Sequence, residues 1–178
     1  MAQQQDVLLV EDTLTQALRI SHILSTKYQV KHAKSGREAL DLLSTYRPAL
    51  ILSDINMPEM DGYQLCTRIK EIPEYSNIPF VLLIFPLDNR ETTNIINCRA
   101  DDLVGKIFDS EYLLGRLSEI LDKRCDQSDQ SDPTSQFAAN DKSGENKGRQ
   151  EPNAEVLRLG QLLASAIGIV SHYNRVND

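Results

Sequence analysis

Val7-Leu8-Leu9-Val10-Glu11-Asp12 is an unbroken run of four aliphatic residues that ends in two adjacent carboxylates. Four apolar residues without polar alternation read as a strand buried on both faces, the kind that a parallel sheet covered by helices contains. The stretch from Thr13 to about Thr26 follows directly, with Leu14, Ala17, Leu18 and Leu24 near helical spacing. A buried strand that passes straight into an amphipathic helix is half of a βαβ unit.

The same alternation recurs along the chain. Tyr28 to His32 reads as a second strand, and Ser35 with Glu38 three residues on is a capping-box signature for a helix to about Thr45. Pro48 precedes a third strand, Ala49-Leu50-Ile51-Leu52-Ser53, and Asp61 to Glu71 predicts a helix with Leu65, Ile69 and Ile72 on one face. Pro79 opens a fourth strand, Phe80 to Ile84, before a weaker helix from Asn89 to Asn97. Leu103-Val104 marks a short fifth strand, and Ser110 is read as the cap of a helix to about Arg124 with Leu113, Leu117, Ile120 and Leu121 inward. Five strands alternating with five helices define an α/β domain with a parallel sheet and right-handed crossovers. The expected architecture is a flavodoxin-like doubly wound (βα)5 fold, order 2-1-3-4-5, although periodicity alone does not fix that order.

A chain of 178 residues accommodates this domain, residues 1–124, plus an appendage. Residues 125–151 are dominated by Gln, Ser, Asp, Asn, Lys and Gly, and read as a flexible polar linker that cannot offset its ordering entropy by burial. Residues 152–178 turn amphipathic again and predict a C-terminal helix. Val156, Leu159, Leu163, Ile167, Val170 and Tyr173 line one face, and Glu155, Arg158, Gln161, Ser165, His172 and Arg175 the other. That segment is too short for a helix-turn-helix domain with its own core. The net charge of −7, with dispersed Lys and Arg, argues against direct nucleic-acid binding. The N-terminus has no basic signal region, and no apolar run approaches a membrane span, so a cytoplasmic location is expected. Cys66, Cys98 and Cys125 fit neither a zinc site nor a disulfide framework and read as reduced thiols. His22 and His32 have no partner pattern and read as surface residues.

In a doubly wound sheet the functional crevice lies at the carboxyl ends of the strands. The first strand delivers Glu11 and Asp12 there, the third Asp54, the fourth Ile84 and Phe85, and the fifth Lys106. Three carboxylates repel one another unless a cation sits among them, and Mg²⁺ suits such oxygen donors. A metal beside a carboxylate and a lysine can support phosphoryl transfer to that carboxylate.

At these residues the chain resembles the receiver domains of bacterial response regulators. Val7 to Asp12 is similar to the family's first strand and acidic pair. Ser53-Asp54-Ile55-Asn56-Met57-Pro58-Glu59-Met60-Asp61-Gly62 is similar to its phosphorylation loop, and Ala100 to Asp109 to the loop carrying its lysine. The likeness covers about residues 6 to 124. It implies that Asp54 is the phosphoacceptor and that Lys106 pairs with the phosphoryl group. Glu11, Asp12, Asp54 and the backbone carbonyl of Asn56 would hold Mg²⁺, and Pro58 and Gly62 would shape the loop and the helix start. The phosphate would come from a histidine kinase or phosphotransfer protein, and output would run through contacts with another protein.

Three positions depart from the family pattern. Ile84 stands where the family has Thr or Ser, so the phosphoryl group would lose one hydrogen bond. Leu103 stands where Tyr or Phe is usual. Ile107 replaces the proline that usually follows the lysine, and a trans bond or local rearrangement is expected there. These departures leave two readings: a phosphorylated receiver with altered output coupling, or a degenerate receiver acting as a phosphorylation-independent scaffold. Enzyme readings rank below both. A haloacid-dehalogenase-like phosphatase needs a second acid where Asn56 stands, and a dinucleotide-binding enzyme needs a glycine-rich turn where Glu11-Asp12-Thr13 stands. The C-terminal helix is expected to pair with another copy, dock on the receiver or engage a partner groove. Leu159-Gly160-Gln161-Leu162 and Ser171-His172-Tyr173-Asn174 are faintly similar to the phosphoacceptor helix of histidine kinases. Their spacing is too long by about a turn, so His172 is read as an exposed residue of an interaction helix.

Overall fold

The computed structural model describes residues 4–84, 97–106 and 109–128, together with Gly160, Leu162, Ala164 and Gly168. The expected helix from Asn89, Phe85, Ile107, most of the linker and His172 lie outside the described residues. The element order is β1 (Asp6–Val10), α1 (Leu14–Leu24), β2 (Gln29–Ala33), α2 (Gly36–Leu43), β3 (Leu50–Asp54), α3 (Gly62–Glu71), β4 (Phe80–Ile84), β5 (Asp102–Gly105) and α4 (Ser110–Ser128). The strands form one parallel sheet in the order β2-β1-β3-β4-β5, the flavodoxin-like arrangement expected from the sequence.

Strands β3 and β4 are buried at every position, as their continuous apolar character requires. Alternate side chains enter two cores on opposite faces of the sheet. Leu8, Val10, Ile51, Phe80, Leu82 and Ile84 pack with Ala39 and Leu43 of α2 and Leu65, Cys66 and Ile69 of α3. Val7, Leu9, Leu50, Leu52, Val81 and Leu83 pack with Ala17, Ile20 and Leu24 of α1 and Leu113, Leu117 and Leu121 of α4. The inward stripe of α1 is therefore Ala17-Ile20-Leu24. Leu14 and Leu18, which share the helical spacing of Ala17 and Leu24 in the sequence, are 65% and 63% exposed.

The helix starts refine the sequence reading. The Ser35 hydroxyl accepts the Glu38 N–H at 3.2 Å, but the Glu38 carboxylate accepts the Lys34 N–H instead of closing the capping box. The full box belongs to α3, where Asp61 and Gln64 satisfy each other's backbone N–H groups. Asp109, rather than Ser110, caps α4 by accepting the Tyr112 N–H at 2.6 Å. That helix also runs past Arg124 to Ser128.

Beside β4 and β5, Lys70 Nζ donates to the carbonyls of Ser76 and Ile78 and to Asp101 Oδ2, which also accepts the Phe80 N–H. This network ties α3 to the entrances of both strands. Arg116 of α4 pairs with buried Asp102. Cys66 Sγ donates to the Cys98 carbonyl, and burial pushes the Cys66 thiol pKa up, so this pair belongs to the core. Gly160, Leu162, Ala164 and Gly168 are helical, and Leu162 is 3% exposed within the core on the α2–α3 face. No helix among the described residues is long and apolar enough to cross a membrane.

Candidate functional site

Pairing registers bring the strand ends together. Val10 lies opposite Ser53, Asp54 opposite Leu83, and Ile84 opposite Gly105. Glu11, Asp54 and Lys106 therefore emerge at one edge of the sheet, at the carboxyl ends of β1, β3 and β5. Carboxylate oxygens of Glu11, Asp12 and Asp54 lie within 4.8 Å of one another. Glu11 and Asp54 are buried and Asp12 is exposed, which leaves one side open to water.

Lys106 lies against the buried pair, with its Nζ 2.7 Å from Asp54 Oδ2 and 3.3 Å from Glu11 Oε2. Its side chain is 9% exposed. Fully ionised, three carboxylates and one ammonium leave two negative charges in excess, which one divalent cation would neutralise. Burial raises the pKa of Glu11 above the ordinary carboxylate value, with the Asp54 charge adding to it and Lys106 opposing it.

The second Asp54 oxygen, Oδ1, is buried and accepts no hydrogen bond from the described residues. A buried carboxylate oxygen without a partner is costly, and a cation is the natural remedy. The donors are hard oxygens with an open side for water, which matches the preferences of Mg²⁺. The residues present therefore fit that ion.

The segment after Asp54 turns tightly. The Gly62 N–H donates to the Ile55 carbonyl at 2.9 Å, and the Met60 N–H to the Pro58 carbonyl at 2.7 Å, across Glu59 at φ 64°. A Cβ at Gly62 would stand 2.3 Å from the Asp54 carbonyl oxygen and 2.9 Å from Ile55 Cα. Glycine is required here by the close approach of α3 to the backbone that carries Asp54. Asn56 is exposed at the lip of this turn.

Two contacts were not legible in the sequence. Gln16, from the first turn of α1, accepts a hydrogen bond from Lys106 Nζ at 2.9 Å. His32 is half-buried rather than a surface residue, and its Nε2 bonds to the Glu11 carbonyl at 2.8 Å. Neither matches a short motif, because each depends on which strand and helix lie side by side. Two of the three atypical positions are apolar and buried: Ile84 is 0% and Leu103 1% exposed, both in the core on the α2–α3 face.

Residues 7–118 match the family model described as the response regulator receiver domain. The chain belongs to this receiver family. It is 34% identical over 122 residues to histidine kinase P4 of Formosa agariphila, covering 68% of this chain and 9% of that protein. It is 32% identical over 117 residues to the response regulator MprA of Mycolicibacterium vanbaalenii, covering 65% of this chain and 49% of that one. The chain thus spans at most about half the length of these two curated relatives. Among solved structures, the receiver domain of a signal transduction histidine kinase from Syntrophus aciditrophicus superposes with a TM-score of 0.64 at 38% identity. That alignment covers 76% of this chain and 99% of that one. The receiver is thus a module found both in response regulators and within histidine kinases.

Proposed function

We propose that this receiver accepts a phosphoryl group on Asp54 from a histidine kinase or phosphotransfer protein and signals through protein contacts in the cytoplasm. The observation that carries this reading is the arrangement at Asp54: one oxygen against Lys106, the other buried beside two more carboxylates and without a hydrogen-bond partner among the described residues. Glu11, Asp12, Asp54 and the Asn56 carbonyl would hold Mg²⁺. The ion would supply positive charge against the phosphoryl oxygens.

In the transfer, one Asp54 oxygen forms a bond to phosphorus as the bond from phosphorus to the donor's leaving group breaks. The product is an aspartyl phosphate. Lys106 faces the charge that the incoming group brings. Gly62 keeps α3 close behind the Asp54 carbonyl, and the His32 ring holds the Glu11 backbone in register. This is a signalling step rather than turnover of a substrate; slow self-hydrolysis is the only catalytic activity expected. Residues 1–124 would form the receiver unit, 125–151 a polar connection whose first residues continue α4, and 152–178 an interaction helix that docks on the receiver, where Leu162 is buried, pairs two copies or serves the output.

A second reading rests on Ile84 and Leu103. Two buried aliphatic side chains offer neither a hydroxyl nor a ring to report on phosphorylation, and a scaffold would need neither. Incubation with a small phosphodonor such as acetyl phosphate, with and without Mg²⁺, separates the two. The phosphoacceptor reading expects Mg²⁺-dependent, hydroxylamine-labile phosphate that Asp54→Ala abolishes. A folded protein that neither binds Mg²⁺ nor takes up phosphate would leave the scaffold.

A further inference from the structure

A lysine ammonium has three N–H donors. In this protein Lys106 Nζ faces three acceptors from three elements: Asp54 Oδ2 at 2.7 Å from β3, Gln16 Oε1 at 2.9 Å from α1, and Glu11 Oε2 at 3.3 Å from the end of β1. The Glu11 contact is long for a charge-assisted bond, which is typically about 2.7–2.9 Å. The Gln16 contact is within that range.

The three acceptors have different fates in the phosphoryl chemistry proposed above, on which this inference rests. Glu11 is wanted by the metal, and Asp54 gives up an oxygen to phosphorus. The carboxamide of Gln16 is neutral, takes part in neither event and lies on a helix pinned by buried Ala17 and Ile20. It is the one acceptor that can hold Lys106 unchanged before and after transfer.

We infer that Gln16 is a positioning residue that keeps Lys106 aimed at the group carried by Asp54. Its side chain reaches the phosphoryl group only through the lysine. Losing one hydrogen bond to a charged group of this kind costs about tenfold or more in affinity.

The test uses the full chain and beryllofluoride, a stable mimic of the phosphoryl group, with affinity read by ¹⁹F NMR in excess Mg²⁺. Gln16→Met keeps the side-chain volume and removes the acceptor; Gln16→Glu keeps an acceptor for Lys106 but adds a negative charge. The expected result is about tenfold weaker beryllofluoride binding in Gln16→Met, with Mg²⁺ affinity measured alone within about twofold of wild type. In metal-free protein, the ¹⁵N-labelled Lys106 ammonium signal should broaden or exchange faster in Gln16→Met and be restored in Gln16→Glu. Unchanged beryllofluoride affinity in Gln16→Met overturns the inference while leaving the phosphoacceptor reading intact. A loss of beryllofluoride affinity in Gln16→Met that leaves the Lys106 signal unchanged, or that Mg²⁺ affinity shares equally, makes the residue merely structural and overturns it as well. Wild-type protein that binds no beryllofluoride at all overturns the phosphoacceptor reading, and this inference with it.

Discussion

Replacing Gly62 by alanine probes the junction between α3 and the strand that carries Asp54. The added Cβ would meet the Asp54 carbonyl oxygen at 2.3 Å and Ile55 Cα at 2.9 Å, both backbone atoms that cannot rotate away. A tolerable carbon–oxygen contact is about 3.3 Å, so the helix start and the strand end must part by roughly 1 Å. Overpacking of this size costs about 1–3 kcal/mol, and the better helix propensity of alanine returns at most about 1 kcal/mol. A net loss of about 1–2 kcal/mol corresponds to a fall in Tm of roughly 3–10 °C for a domain of this size. Moving the Asp54 peptide also moves its carboxylate, so Mg²⁺ affinity should fall about tenfold, in line with displacing one ligand by a fraction of a bond length. Calorimetry gives the first quantity and titration of the same samples with Mg²⁺ the second. Gly115→Ala in α4, where a Cβ meets nothing within 4 Å, is the control and should be neutral or stabilising by up to about 1 kcal/mol. Wild-type Tm and Mg²⁺ affinity in Gly62→Ala would refute the argument that close packing at this glycine positions Asp54.

Other substitutions test separate parts of the account. Ile84→Thr should lengthen the lifetime of the acyl phosphate, since a hydroxyl returns to the strand end, while costing the unphosphorylated protein about 1–3 kcal/mol for burying that hydroxyl. A chase after removal of the phosphodonor measures the first and denaturant unfolding the second. The raised Glu11 pKa means that, above the reference value of 4.5, the native metal-free protein retains a proton that the unfolded chain has lost. This group therefore disfavours folding increasingly as pH rises from 4.5 through its folded pKa, and the stability of Glu11→Gln relative to wild type should climb over that window. A flat or falling difference in metal-free unfolding free energy would contradict that sign. Lys70→Met removes the ammonium that ties Asp101 to two carbonyls and should destabilise the protein by about 2 kcal/mol, a figure reduced because Asp101 is partly exposed; urea unfolding measures it.

Much of the fold was legible because burial on both faces leaves a direct signature. Val7 to Val10 and Phe80 to Ile84 are unbroken apolar runs, and each proved to be a central strand. Helix faces were less legible. Leu14, Ala17, Leu18 and Leu24 share helical spacing, yet only Ala17 and Leu24 are buried, with Ile20 between them, while Leu14 and Leu18 face solvent. Caps were ambiguous by one residue at α4, because Asp109 and Ser110 both suit the position and only backbone geometry decides between them.

The candidate site divides along the same line. Glu11, Asp12, Asp54 and Lys106 were visible because the carboxyl ends of parallel strands are adjacent once the strand order is assumed. Gln16 and His32 were not, since a lone glutamine on α1 and a lone histidine on β2 carry no pattern until register sets Lys106 and Glu11 beside them. Gly62 was expected to shape the helix start, but the reason, a strand carbonyl where its Cβ would be, is a three-dimensional fact.

The most direct measurement traps the acyl phosphate and locates it. Protein incubated with acetyl phosphate and Mg²⁺ is reduced with borohydride, which converts a phosphorylated aspartate to homoserine, and its peptides are sequenced by tandem mass spectrometry. The account predicts homoserine at position 54, absent when Mg²⁺ is withheld and reduced in Gln16→Met. Homoserine at another acidic position, or none in protein shown to be folded and metal-bound, would contradict it.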